Sequence, residues 1–182
     1  MLRSLTVIAG RFVRGTCGVA AVEFALLLPI MALLYVGTIE VVPLISADRR
    51  VTLTANTVAN VTTQYASISA SSTMPDILNA SADVLAPYSS SNAIVVVSLI
   101  TIDASGHATI TWSQALNGAA RTAGQTVNLP AGLDVPNTSL VWGETTYAYT
   151  PLLDLLCLGT INLYSSVYMS PRSSSGTINL TT

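Results

Sequence analysis

At 182 residues the chain has room for one modest folded domain. Only 9% of its residues are charged against 51% apolar, well under the roughly 25% charge of an ordinary soluble domain. All seven cations are arginines; three precede residue 18, and four follow it together with all nine acids, which leaves no clustered basic surface of the kind that binds nucleic acid.

Residues 1–18 form a basic leader carrying Arg3, Arg11 and Arg14. Residues 24–39, Phe-Ala-Leu-Leu-Leu-Pro-Ile-Met-Ala-Leu-Leu-Tyr-Val-Gly-Thr-Ile, contain no charge. The wider apolar stretch, 19–45, reaches about 40 Å as a helix and the strict core about 24 Å, against a hydrocarbon layer of about 30 Å. One transmembrane helix fits, with Glu23 near one interface and Glu40 near the other. The arginine bias favours an N-terminus in the cytoplasm, with the bulk of the chain then outside the inner membrane. A secretory signal peptide competes, but its apolar region spans about 7–15 residues. Here the run is longer, holds Glu23, and offers only a mediocre cut after Ala47, with Ile45 two residues before it. An uncleaved signal-anchor carrying an extracytoplasmic binding module is the other alternative.

A carboxylate in an apolar span is costly and marks function by default. Cutting after Gly18 would give Val19 a free ammonium and make Glu23 the fifth residue of the mature chain. In a bundle of such helices, an axial stagger brings one ammonium to a neighbour's carboxylate, offsetting part of both desolvation costs. The plain alternative is a Glu23 that snorkels to the headgroups. Pro29 removes one helix hydrogen bond inside the span, tolerable where neighbours satisfy the freed carbonyl; Pro43 lies near its outer end.

Residues 46–68 read as a soluble extension of the helix, with Val51, Ala55, Val58, Thr62 and Tyr65 on one face and the serine run Ser67 to Ser72 as its stop. A short helix follows over 73–86, capped by Ser72 or Thr73, with Pro75 in its first turn and Met74, Ile77, Leu78, Ala82 and Leu85 facing inward. Strands fill 93–172. The β-branched run from Ala93 suits a buried strand, and Asp103 to Gly106 reads as a hairpin turn. Alternation then places Ala108, Ile110 and Trp112 on one face. Residues 114–138 read as a long loop. Two more strands, begun by Ser139 and Ile161, make four, and 173–182 reads as a loosely held tail.

Catalytic signatures are missing. His107 stands alone at the hairpin, where a turn role outweighs a ligand role, and metal sites need several ligands at fixed geometry. No HExxH, CxxC, phosphate loop or GxSxG elbow occurs. Cys17 and Cys157 flank the span and would lie on opposite sides of the membrane; Cys157 reads as a small buried residue. Trp112, Trp142, Tyr147, Tyr149, Tyr164 and Tyr168 read as strand aromatics packed in the core or across strands. The expectation is no enzyme, no cofactor and no metal.

The ordered set Gly18, Glu23, Phe24, Ala25, Leu28-Pro29, Gly37 and Glu40 resembles the N-terminus of TadE-like proteins, pilin-like minor components of the tight-adherence (Flp) pilus machinery. The segments "DRRVTLTANTVANVTTQ", "IVVVSLITIDASGHATITWSQA", "GETTYAYTPLL" and "MSPR" resemble the family's later helix and strands, so the likeness covers most of the chain. It implies an α+β, pilin-like fold: a long N-terminal helix, half in the membrane, on a four-stranded antiparallel sheet. It also implies cleavage between Gly18 and Val19 by a prepilin peptidase, a role for Glu23 in assembly, and other pilins, inner-membrane assembly proteins and the lipid bilayer as partners. Phe24 stands where major pilins of this system more often show tyrosine pairs, and the chain is longer than those pilins. Both point to a minor pseudopilin.

Overall fold

A computed structural model describes residues 17–151 and 159–182. In chain order the elements are helix α1 (Cys17–Thr62), strand β1 (Ser67–Ser69), helix α2 (Thr73–Asp83), a short 3-10 turn (Ser90–Asn92), and strands β2 (Ala93–Ile102), β3 (Ala108–Leu116), β4 (Ser139–Tyr149), β5 (Ile161–Met169) and β6 (Asn179–Thr181). The expected α+β arrangement is present: a long apolar N-terminal helix, one short helix and a four-stranded antiparallel sheet ordered β3-β2-β4-β5. The leader up to residue 16, with Asp154 and Cys157, lies outside the described residues.

Helix α1 runs unbroken through Pro29 and Pro43. Its outer half carries a threonine-rich face that would ordinarily weaken a helix by competing for backbone bonds. Here the hydroxyls fold back onto carbonyls one turn earlier: Thr54 onto Arg50 at 3.0 Å, Thr57 onto Leu53 at 2.8 Å and Thr62 onto Val58 at 2.6 Å. That satisfaction lets Thr54 and Thr62 be fully buried. Ala47, Val51, Ala55, Val58 and Ala59 form the buried stripe against β4 and β5. Tyr65 does not join it. The helix ends at Thr62, before the serine run, so Tyr65 falls beyond the periodic face and is exposed; Ser67–Ser69 forms a strand instead.

The helix lies close against the sheet at Gly143 on β4. A Cβ there would stand 2.7 Å from the Ala55 carbonyl oxygen and 3.0 Å from the Ala59 Cβ. Beside it, α2 buries Met74, Ile77, Leu78 and Ala82, the face that periodicity predicts, and Leu85 is buried just beyond its end. Ser72 stands at its N-cap but makes no side-chain capping bond.

The hairpin between β2 and β3 turns at Asp103 to Gly106, with Gly106 at φ 85°, a left-handed conformation glycine adopts without cost. Asp103 Oδ1 accepts from the backbone N–H groups of Ser105 at 2.8 Å and His107 at 2.9 Å. Beyond the turn, the expected alternation of β3 breaks. Leu99 pairs with Trp112 but the next residue, Ile100, pairs with Ile110. The extra residue, Thr111, is a bulge, and it reverses which face the following side chains reach. Ala108 therefore packs on the face of the sheet away from α1, with Ile110 opposite Ile100 on that same face, while Trp112 packs with Val58, Met74 and Leu99 on the helix side.

Two segments read as loose are docked. Residues 117–138 fold over the outer face, where Val127, Leu129 and Leu133 cover Ile100, Ile102, Leu140 and Trp142. The C-terminal tail closes the helix side: Trp112 Nε1 donates to the Ile178 carbonyl at 2.9 Å, Ile178 is buried, and β6 pairs in parallel with β1. The tail is anchored by two apolar side chains, Ile178 and Leu180, and by backbone bonds, which a polar tail sequence does not advertise.

Candidate functional site

The feature that sets this molecule apart is the inner half of α1. Its most apolar 18-residue window has a mean hydropathy of 2.3 and none of it is buried in the protein. Val19, Phe24, Leu28 and Tyr35 are 51–70% exposed. So large an apolar surface left open marks a membrane or protein contact, and the helix is long and apolar enough to cross a bilayer. Gly18, Val19, Glu23 and Phe24 all lie on this exposed helix. Nothing lies within 4 Å of where a Cβ would stand at Gly18 or Gly37, so neither glycine is demanded by the fold of a single chain.

Burial begins at Glu40, which is 5% exposed. Just beyond it, a tyrosine collar grips the helix. Tyr88 donates its hydroxyl to the Pro43 carbonyl at 2.9 Å. Its ring lies 6.2 Å from those of both Tyr147 and Tyr149, and the three pack with Ala47, Val51 and Leu85. The collar thus fixes where the exposed rod leaves the domain. Burial pushes the Tyr147 and Tyr149 hydroxyls above their ordinary value of 10.0, with Tyr88 adding to both and Glu40 adding to Tyr149. The sign follows directly: the unfolded chain ionises first, so this stabilisation is whole below pH 10 and is lost as pH rises through the raised folded values. Alkaline titration should therefore loosen the collar above pH 10, and near-ultraviolet tyrosine signals should change there together with the loss of fold. Replacing both tyrosines by phenylalanine should flatten that limb.

A second polar centre sits on the outer face. Arg121, from the covering loop, donates Nε to Glu144 Oε2 and Nη2 to Oε1, each at 2.7 Å. Tyr164 donates to Oε1 at 2.8 Å. The Arg121 guanidinium lies 4.0 Å above the Trp142 ring, which stacks on Tyr168 at 5.4 Å. The hydrogen bond to Glu144 holds the Arg121 pKa above its ordinary value. The bidentate geometry and the stacked ring are what arginine, not lysine, provides. Removing Arg121 strands a carboxylate that is 5% exposed. Arg121→Ala should cost about 2 kcal/mol, Tyr164 softening the loss. Arg121→Lys should recover only part of it. Urea denaturation checks both. The lone arginine in a charge-poor loop was the one sequence signal for this clamp.

At the far end of the sheet, His107, Asn128 and Asp134 line a shallow cleft. His107 Nδ1 lies 2.8 Å from Ser105 Oγ, a turn role, and the described residues hold no group of three or more metal-ligating side chains. Trp112, Trp142, Tyr147 and Tyr149 are buried and Tyr168 is stacked, while Tyr164 is largely exposed and acts through its hydroxyl.

A family model described as TadE-like protein matches residues 18–60. The match begins at Gly18, takes in Glu23, Phe24, Pro29, Gly37 and Glu40, and ends two residues short of the end of α1. No curated protein and no solved structure matches the chain.

Proposed function

We propose that this chain, TadE-like over residues 18–60, is a pilin-like minor subunit, a pseudopilin, that works in assembling a Flp (tight-adherence) pilus. Its role is structural, and its partners are a prepilin peptidase, other pilins and inner-membrane assembly proteins. The observation that carries the reading is the coincidence of the family match with the fully exposed apolar half of α1. An anchor needs only apolar length; this one also carries Glu23 five residues after Gly18.

In this reading the peptidase cuts between Gly18 and Val19. Val19 and Glu23 are four residues apart, about 6 Å along the axis. A neighbouring helix displaced by that distance brings its Val19 ammonium level with Glu23. The pair offsets two charges that are each costly in lipid and sets the register between subunits. Three leader arginines keep the N-terminus in the cytoplasm, and the sheet domain stands on the extracytoplasmic side of the inner membrane. Mass spectrometry of the intact protein from its native host tests the first step: a mature chain should begin at Val19, and a chain still beginning at Met1 sinks the processing claim.

A further inference from the structure

The two edges of the main sheet are treated differently. The β3 edge is closed over its first half by the covering loop: Gly124 donates to the Ile110 carbonyl at 2.7 Å, Ile110 to Gln125 at 2.9 Å and Val127 to Ala108 at 3.0 Å, with a bridge between Thr109 and Thr126. On the other side, β5 pairs along all nine residues with β4, and no other described residue pairs with its outer edge. That edge reads Ile-Asn-Leu-Tyr-Ser-Ser-Val-Tyr-Met, with no charge and no proline, and β5 has no bulge. Native proteins blunt an open edge by just those devices; among the described residues, the first half of the β3 edge is closed and the β5 edge is open. A row of free backbone donors and acceptors recognises one thing, another extended backbone.

Direction narrows the occupant. Strand β5 starts beside Tyr149, in the collar at the base of the domain, and runs away from the exposed helix. Pairing β5 with β5 of a second copy in antiparallel fashion requires a two-fold axis through the sheet. That axis would point the two apolar helices in opposite directions, which one bilayer cannot accommodate; parallel pairing of β5 with β5 keeps the helices aligned but turns the second sheet over, so that its Asn162, Tyr164, Ser166 and Tyr168 would stand where the apolar row must continue. Side-by-side copies with both helices in the same membrane would instead set β5 against β3, again antiparallel, but half of β3 is already closed.

We propose that the β5 edge is a strand-addition site for a different chain. That chain supplies an uncharged strand antiparallel to β5, with apolar residues at alternate positions to extend the row Ile161, Leu163, Val167 and Met169. The exclusion of a second copy rests on the membrane insertion proposed above; the open edge does not.

The test uses the full chain in lipid nanodiscs and, as a probe of the required polarity and alternation, a synthetic peptide of residues 108–116 free of its covering loop. Amide hydrogen exchange should slow at alternate residues of 161–169 when the peptide is added. Asn162→Lys with Ser166→Lys, both at exposed positions, should weaken peptide binding about tenfold or more, while Thr111→Lys on the other edge should not. Protection elsewhere, no protection at millimolar peptide, or equal loss from Thr111→Lys would overturn the proposal. A photo-crosslinking side chain at residue 166 should give no homodimer in nanodiscs; a homodimer overturns the choice of a different chain. Exchange repeated in detergent separates the edge from the membrane reading, because peptide protection there does not depend on insertion or on cleavage at Gly18.

Discussion

Gly143→Val should be the most destabilising single substitution in the sheet, at about 3 kcal/mol or more. A Cβ at this position meets a backbone oxygen at 2.7 Å, the Ala59 Cβ at 3.0 Å and the Val58 Cγ1 at 3.1 Å. Side chains can turn aside, but the Ala55 carbonyl is part of a helix and cannot. The helix must lift from the sheet, and overpacking of this kind costs about 1–3 kcal/mol for an extra methylene or two. Valine adds further atoms in the same gap. Lifting also loosens Val58 and Ala59, which share the core with Leu99 and Trp112. Thermal unfolding in mild detergent should show the melting temperature falling by roughly 10 °C, with Gly143→Ala falling by less. Gly37→Ala is the control: it lies on the same helix with nothing within 4 Å and should not lower the melting temperature. A Gly143→Val protein as stable as the parent would show that the helix does not sit where Ala55 and Gly143 place it.

Glu23→Ala should leave the fold intact and, if the chain works in pilus assembly as proposed, remove it from that machinery. Glu23 lies on the exposed half of α1, and the sheet domain makes no use of it. Circular dichroism and melting of the sheet domain should therefore be unchanged. If Val19 and Glu23 pair between neighbours, the variant leaves an ammonium in lipid without a carboxylate, a loss large enough to cut recovery with pilus or assembly complexes at least tenfold, or about 1.4 kcal/mol. In the proposed reading processing should persist, since the cut would precede the pairing. Glu23→Gln separates charge from shape: it keeps the size and hydrogen-bonding capacity in a neutral amide but should fail like alanine. Normal assembly of both variants would reduce Glu23 to a snorkelling residue.

Much of this architecture was readable before any coordinates. The uncharged run from Phe24 to Ile39, the stripe from Val51 to Thr62 and the inward face of α2 are repeats at helical spacing, and local periodicity is enough to find them. The hairpin at Asp103 to Gly106 follows from turn chemistry alone. What escaped was set by contacts distant in sequence. The bulge at Thr111 is a register event between two strands, so alternation alone puts Trp112 on one face with Ala108 and Ile110, whereas it lies on the opposite one. Residues 117–138 and the tail are polar, and only their few anchors, Arg121, Val127, Leu129, Leu133 and Ile178, dock them. Gly143 looked like any strand glycine until the helix was laid across it. Gly18, Val19 and Glu23 sit on a helix that a single chain leaves uncovered, so the roles proposed for them could not be read from the fold of one chain.

The unbroken course of α1 has a mechanical consequence. At 46 residues it is a rod of about 69 Å, continuous from Cys17 to the last buried turn at Thr62. Its grip on the domain runs the length of Ala47 to Thr62, parallel to its own axis, and ends in the collar at Pro43. A pull along the axis therefore loads every one of those contacts in shear at once rather than peeling them one by one. Drawing the helix out of a bilayer would carry the whole sheet with it as a rigid load, and any axial step taken at the membrane would appear undiminished at the far tip of the domain.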